Sequence, residues 1–137
     1  MGQQQLLLLV LAAIIVGAGV ILGVNMFQDN AAQANRDAVT QDVMTFAGKA
    51  QAWYRRPVAV GGGGQAFDGV EWPDLIAGAP VGLTFTNDNG SYVISAAVGN
   101  NCTITGTGKE DLDNDGANLT VVAVITGGVV NVTYPEP

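Results

Sequence analysis

One short acidic segment carries the side chains best suited to chemistry. Asp111, Asp113 and Asp115 alternate along the chain, and Gly116 follows them. This spacing matches the first half of a calcium-binding loop, in which carboxylates converge on the ion and glycine allows a sharp turn. Val122 occupies the position of the closing glutamate, so the segment is not an EF-hand. Two interpretations remain, a calcium site and a solvated turn between strands.

The residue types that most other catalytic sites need are missing from the sequence. The sequence has no histidine and one cysteine, Cys102. An intrachain disulfide, a zinc site of Cys and His, and the acid–base or nucleophilic triads that use His are therefore excluded. We interpret Cys102 as a small buried strand residue. We expect no enzyme activity and no cofactor other than calcium at the acidic segment.

Two more segments have the composition of binding motifs. Gly61 to Gly64 lacks the Lys-Ser/Thr of a phosphate-binding loop, and we predict a flexible connector. Trp53-Tyr54 beside Arg55-Arg56 could stack on bases or sugars. We favour core packing with solvated cations, since positive charge suits the C-terminal end of a helix.

Charge is distributed unevenly along the 137 residues, whose net charge is −7. Nine of the 12 acidic residues follow Pro57, where Lys109 is the only basic residue. Such an acidic region is a poor match for nucleic acid, so we expect no nucleic-acid partner. The hydrophobic content of 48% is too high for disorder and allows one small β-rich domain after an N-terminal helix.

The element that dominates the sequence is an unbroken apolar run, Leu6–Val24. As an α-helix it would be about 28 Å long, close to the hydrocarbon thickness of a bilayer. An amphipathic helical pattern continues from it and is stopped by Pro57. Five apolar residues of that pattern recur at 4-3-4-3 spacing on one face: Val39, Val43, Phe46, Ala50 and Trp53. The sequence thus predicts one continuous helix from about Gln3 to Arg56.

The apolar run allows three interpretations. The first is a secretory signal cleaved at the small-x-small tripeptide Ala32-Gln33-Ala34, although no basic residue precedes the run and the run is long for a signal. The second is a plain membrane anchor. The third is a filament subunit whose apolar half bundles with those of other copies in a central core. Four Asn-x-Ser/Thr triplets favour an outside location for the rest of the chain, at Asn89, Asn101, Asn118 and Asn131.

In the filament interpretation the apolar run forms the polymerisation core. Gly19 and Gly23 have the small-xxx-small spacing that lets helices approach closely. The predicted core residues are Gln5, Leu6, Leu7, Leu8, Leu9, Val10, Leu11, Ile14, Ile15, Gly17, Gly19, Ile21, Leu22 and Gly23.

The rest of the chain is predicted to form a β-sheet head. Residues 57–80 make a connector, with a short helical turn after Glu71 that covers one sheet edge. Residues 81–137 form four or five antiparallel strands, and Asn87–Gly90 is a hairpin turn. On one strand, Tyr92, Ile94 and Ala96 are expected to share a face. The predicted strands are Leu83–Thr86, Ser91–Val98, Asn101–Thr105, Asn118–Thr126 and Val129–Tyr134. The amphipathic helix face must cover this sheet, which gives an α+β fold.

The region 1–57 resembles the type IV pilins and the pseudopilins of type II secretion. The resemblance rests on Met1-Gly2-Gln3-Gln4-Gln5, the apolar run Leu6–Val24 and the amphipathic run that ends at Pro57. It implies leader cleavage between Gly2 and Gln3. The basic leader residues and the early glutamate of that family are absent. The position equivalent to that glutamate is Leu7 if the mature chain begins at Gln3, or Gln5 if it begins at Met1.

The resemblance implies a long helix (1–56, with 6–24 apolar) laid across a sheet, and an extracellular filament built from copies of this chain. It also implies an inner-membrane pool before assembly and an assembly machinery in that membrane as a partner. Two alternatives stay open, a pseudopilin of a secretion system and a membrane-tethered binding module. A glycan-binding head would need exposed aromatic residues, for which Trp72, Tyr92 and Tyr134 are the candidates.

Overall fold

A computed structural model describes residues 2–112 and 116–135. The long helix α1 (Gly2–Arg55) is followed by a short helix α2 (Trp72–Leu75) and a five-stranded antiparallel sheet. The strands are β1 (Thr84–Thr86), β2 (Gly90–Val98), β3 (Asn101–Gly108), β4 (Thr120–Thr126) and β5 (Val129–Thr133). Each strand pairs with the next in chain order. The predicted α+β fold, with a long N-terminal helix on an antiparallel sheet, is confirmed.

Helix α1 has 54 residues and is about 80 Å long. Its C-terminal half packs against β3 and β4 and also contacts α2. The five residues predicted at 4-3-4-3 spacing are all buried, and Ala47 joins them. The amphipathic pattern therefore predicted the packed face correctly.

Buried and more exposed residues alternate strictly along β3 and β4. Cys102 and Ile104 of β3 are buried, as are Val121, Ala123 and Ile125 of β4. The interpretation of Cys102 as a buried strand residue is confirmed, and burial raises the pKa of its thiol to about 11.

Helix and sheet approach each other closely at Gly106 of β3. A Cβ atom there would lie 2.6 Å from Val43 Cγ2, 3.0 Å from Val39 Cγ1 and 3.1 Å from Tyr92 Cδ1. Only a residue without a side chain fits between α1 and β3 at this point.

An aromatic cluster closes the core on the side of β1 and β2. The Phe46 ring meets Trp72, Tyr92 and Phe85 edge-on, with centroid distances of 5.1, 4.9 and 5.9 Å. Trp72 comes from α2, the short helix predicted after Glu71, and it is completely buried. Burial of Trp72 and Tyr92 removes two of the three aromatic candidates for glycan binding, and Tyr134 remains 40% exposed.

The end of α1 confirms the packing interpretation of Trp53 and Tyr54. Trp53 is buried, and the Tyr54 ring stacks on Phe67 at 4.8 Å between centroids. The Tyr54 hydroxyl donates to Asn100 Oδ1 over 3.1 Å. Arg55 and Arg56 are exposed to solvent.

The glycine run is not the flexible connector that its composition predicts. The backbone N–H groups of Gly63 and Gly64 donate to the carbonyl oxygens of Trp53 and Arg56, over 3.0 and 2.9 Å. A Cβ atom on Gly63 would lie 2.3 Å from the Trp53 ring. The glycines are needed because the chain folds back closely over the end of α1.

The prediction that Ala96 shares a face with Tyr92 and Ile94 is wrong. The pairing of β2 with β3 shifts between Ser95 and Val98, and Ala96 has a φ of 48°. This bulge reverses the alternation, so Ala96 is exposed and Ala97 packs against the core instead.

Candidate assembly surface

The N-terminal half of α1 projects from the head. Ala32 is the first buried residue of the helix, and every residue from Gly2 to Ala31 is exposed apart from the half-buried Gly23. At 1.5 Å per residue, about 45 Å of helix extends beyond the sheet. This segment is helical without any support from the head, so its surroundings must come from outside the chain.

Within the projecting segment, Leu6–Val24 is apolar on all sides of the helix. Leu6, Leu7, Leu8 and Leu9 cover a full helical turn, and each is between 66% and 70% exposed. A helix that is apolar around its whole circumference needs apolar neighbours in every direction. The segment is long and apolar enough to cross a membrane. Lipid and other copies of the same helix are the two environments that satisfy it.

The small residues within this segment have no role inside the single chain. A Cβ atom added to Gly17, Gly19 or Gly23 would have nothing within 4 Å. Each glycine lowers helix propensity by about 1 kcal/mol relative to alanine. Close approach of a second helix is a physical reason for keeping them.

The predicted residues at the start of the chain lie in the first turns of α1. Gly2, Gln3 and Gln5 are helical and exposed, and Met1 lies outside the described residues. Gln5 precedes the apolar side chains directly, so its amide would enter the same environment as Leu6. A neutral amide can be hydrogen-bonded there without burying a charge.

A polar cluster fixes the head to α1 near the point where the helix leaves it. One oxygen of Asp42, Oδ2, accepts hydrogen bonds from the Tyr92 hydroxyl over 2.6 Å, Asn89 Nδ2 over 2.7 Å and Asn87 Nδ2 over 2.9 Å. Asn87 and Asn89 belong to the hairpin turn between β1 and β2. The predicted turn is confirmed, and Asn87 Oδ1 accepts from the backbone N–H groups of Asn89 and Gly90.

Asn35 ties two more loops to the helix, about two turns before Asp42. Its Nδ2 donates to the Asn89 carbonyl oxygen over 2.9 Å, and its Oδ1 accepts from the Lys109 backbone N–H over 3.0 Å. The β1–β2 turn and the β3–β4 loop therefore share one anchoring side chain. Asn35 and Asp42 together fix the orientation and position of the sheet along α1.

The electrostatics of this cluster favour an ionised Asp42 and a neutral Tyr92. Partial burial raises the pKa of Asp42, but the hydrogen bonds from Tyr92, Asn89 and Asn87 outweigh it and leave that pKa below the ordinary value. Burial first, and then the hydrogen bond to the Asp42 carboxylate, raise the pKa of the Tyr92 hydroxyl well above its ordinary value. In this cluster three hydrogen-bond donors satisfy one carboxylate charge. We call the cluster the head–helix joint, because it connects the β1–β2 turn and β2 to α1.

Sequence reasoning missed this joint. The helical spacing places Asp42 off the apolar face, and the pattern of a single helix contains no information about loops more than 40 positions away. The signal that was available is Asn87–Gly90, since the amides of an Asx turn that do not serve the turn need other partners.

The acidic segment lies only partly within the described residues. Asp111 Oδ2 accepts a hydrogen bond from the Gly116 backbone N–H over 2.8 Å, whereas Asp113 and Asp115 lie outside the described ranges. Calcium binding by these residues stays a prediction.

Comparison of the chain with protein-family models, with curated proteins and with solved structures gives no match. Function is therefore inferred from the geometry of this chain alone.

Proposed function

We propose that this chain is a structural subunit of an extracellular helical filament of the type IV pilin kind, polymerised through Leu6–Val24. The observation that carries the proposal is the projecting half of α1, about 45 Å of helix that the head leaves uncovered and whose apolar part, Leu6–Val24, is about 28 Å long. Bundling of these segments gives each one apolar neighbours on every side, and the heads then form an outer sheath.

The energetics set the route of assembly. Removing an apolar segment of this length from water buries on the order of 1,500–2,000 Å², or about 40–50 kcal/mol in gross terms. Lipid already supplies most of that gain, since its acyl chains are as apolar as leucine. The transfer from membrane to filament must be driven by helix packing, in which Gly19 and Gly23 allow close contact, and by an assembly machinery in the inner membrane.

The head is arranged as a sheath would require. The sheet covers one face of α1, so its other face points away from the helix and away from a filament axis. That outer face carries Thr, Ser, Val and Asn side chains, with no charged residue in any strand that the structure describes. The acidic residues of the head that the structure describes lie outside the strands, in the connector with α2, the β1–β2 turn and the β3–β4 loop.

A membrane-tethered binding module is the second candidate, because the apolar half of α1 is long enough to cross a membrane. In that case the protein stays in the bilayer as single chains and binds its ligand through the head. Tyr134 is the one candidate aromatic residue for glycan contact that is still exposed.

The two candidates are separated by shearing cells that produce the chain and imaging the released material. The filament proposal predicts ordered fibres whose intact subunit mass includes Leu6–Val24. Recovery of the chain solely as detergent-solubilised monomer would refute it and favour the tether. Short fibres confined to the cell envelope would identify a pseudopilin.

A pair of matched variants tests the surface itself. Ile14→Asp places a carboxylate in the bundled core, where an unpaired charge costs several kcal/mol, and should abolish fibres. Val81→Asp makes the same chemical change on the head, where Val81 is 83% exposed, and should leave them intact. Because both side chains are exposed in the single chain, neither change should alter the near-UV circular dichroism of the head.

A further inference from the structure

The strand β5 forms an edge of the sheet without the usual protection. It pairs with β4 in continuous register from Val129 to Thr133, and its other side has no strand partner among residues 2–112 and 116–135. Natural edge strands are commonly blocked by lysine, proline, a bulge or extreme shortness. The segment VVNVT has none of these features. The opposite edge is much shorter, since β1 has only three residues.

The sequence of β5 is nearly symmetric about Asn131. Val130 and Val132 flank it on the helix side of the sheet, where both are half-buried against the core. Val129 and Thr133 lie two positions away on the outer face, and both are β-branched. An antiparallel copy of the same strand would therefore place Val130 opposite Val132, and Asn131 opposite its own equivalent. Such β-branched pairs stabilise adjacent strands.

We propose that the β5 edge is a self-recognition surface, which pairs antiparallel with β5 of a second copy about a two-fold axis through Asn131. The occupant is a second copy because the strand complements itself and because the strand carries no charge. The heads carry most of the chain's negative charge and repel one another elsewhere. The contact would merge two five-stranded sheets into one of ten strands.

The symmetry of this pairing dictates where it can form. Antiparallel strands of one sheet are related by a two-fold axis perpendicular to the sheet, and that axis reverses every direction within the sheet plane. Helix α1 packs along the inner face of the sheet, so the two copies of α1 must point in opposite directions. Two chains inserted in the same membrane cannot meet this requirement, nor can neighbours within one filament. The pairing therefore rests on the proposed filament and joins two filaments of opposite polarity.

The size of the contact explains why it would act only between polymers. A five-residue edge is about 17 Å long and buries far less than the ~1,200 Å² at which specific interfaces begin. Single chains would associate weakly through it. Filaments that present the same edge at every subunit would gain from multivalency and lie side by side as bundles.

Bundling is tested with two charge variants of the full chain. Asn131→Lys puts two ammonium groups opposite each other across the two-fold axis, with Cβ atoms about 5 Å apart, and should reduce bundles to background while single fibres persist. Ser95→Lys adds the same charge at an exposed site on β2, separated from β5 by two strands, and should leave bundles intact. Both changes lower the net negative charge equally, so a difference in bundling between the two variants shows that the position of the added charge matters. Bundles lost with Ser95→Lys and retained with Asn131→Lys would overturn the proposal in favour of face-to-face sheet contact.

The register is tested independently of fibres, by disulfide trapping of the detergent-solubilised full chain. Asn131→Cys places the two thiols opposite each other and should yield a cross-linked dimer on mild oxidation. Val129→Cys is the control, because Val129 faces Thr133 of the other copy and its own equivalent lies about 14 Å away along the strand. Equal dimer yields would overturn the register. A dimer specific to Asn131→Cys in detergent, combined with no fibres in the material sheared from cells, would support the edge contact and refute the filament, so the two proposals fail separately.

Discussion

The close approach of α1 to β3 at Gly106 makes a quantitative prediction about stability. Gly106→Ala introduces a Cβ atom 2.6 Å from Val43 Cγ2 and 3.0 Å from Val39 Cγ1. Valine in a helix has one strongly preferred χ1 rotamer, so these methyl groups cannot turn away freely. Either the helix lifts from the sheet or the valines leave their preferred rotamers.

The magnitude follows from two opposing effects. Overpacking of a well-packed core costs about 1–3 kcal/mol. Replacing a strand glycine by alanine recovers about 0.5–1 kcal/mol of backbone entropy. We expect Gly106→Ala to lower the free energy of unfolding by on the order of 1–2 kcal/mol.

Gly48 provides a matched control on α1. It lies in the packed half of the helix but is exposed, and a Cβ atom there would have nothing within 4 Å. Gly48→Ala should therefore stabilise the chain by up to about 1 kcal/mol through helix propensity. The same chemical change is thus expected to have opposite signs at two positions.

The assay is urea unfolding of the detergent-solubilised full chain, followed by tryptophan fluorescence. Trp53 and Trp72 are both buried in the head, so their emission reports loss of helix–sheet packing. A Gly106→Ala chain as stable as the unmodified one would refute the reasoning, because it would mean that α1 does not press on β3 at this point.

The remaining predictions concern single features of the head and of α1. Because the pKa of Asp42 is lower in the folded chain than its ordinary 3.8, the ionised carboxylate stabilises the fold above pH 3.8. This stabilisation is lost as the pH falls through the lower native pKa, so Asp42→Asn should make unfolding less sensitive to acid. The pKa of Cys102 is raised from 9.0 to about 11, so this thiol should resist alkylation at pH 8 until the chain unfolds. For the same reason the free energy of unfolding should fall as the pH rises from 9 towards 11. Rapid alkylation of the native chain would contradict the burial of Cys102. Gly19→Ala with Gly23→Ala should leave head stability unchanged but impair fibre formation, and fibres of normal yield and order would remove the close-packing role of these glycines. Millimolar Ca²⁺ should raise the melting temperature of the full chain relative to chelator if the segment around Asp111 binds calcium, and an unchanged melting temperature would eliminate the site.

The sequence predicted the elements whose pattern is local. The spacing of Val39, Val43 and Phe46 identified the packed helix face, because a helix repeats every 3.6 residues whatever it packs against. The turn Asn87–Gly90 located the first hairpin for a similar reason, since the hydrogen bonds that Asn87 Oδ1 accepts within it are contained in four residues.

The features that the sequence did not predict depend on contacts between distant segments. Ala96 is exposed because β2 and β3 shift in register, and neither strand reveals a bulge on its own. Gly61 to Gly64 looked flexible, but glycine is equally suited to close packing, here against the end of α1. Asp42 became the centre of the head–helix joint only when the Asn87 and Asn89 amides were brought to it by the fold.

The central claim is that copies of Leu6–Val24 replace lipid as the surroundings of this helix. The most direct measurement is a helical reconstruction by electron cryo-microscopy of lipid-free fibres composed of this chain. The filament account predicts a central bundle of α-helices containing Leu6–Val24, with the five-stranded heads outside it. Fibres whose axis lacks these helices, or a subunit that begins near Asn35, would contradict it.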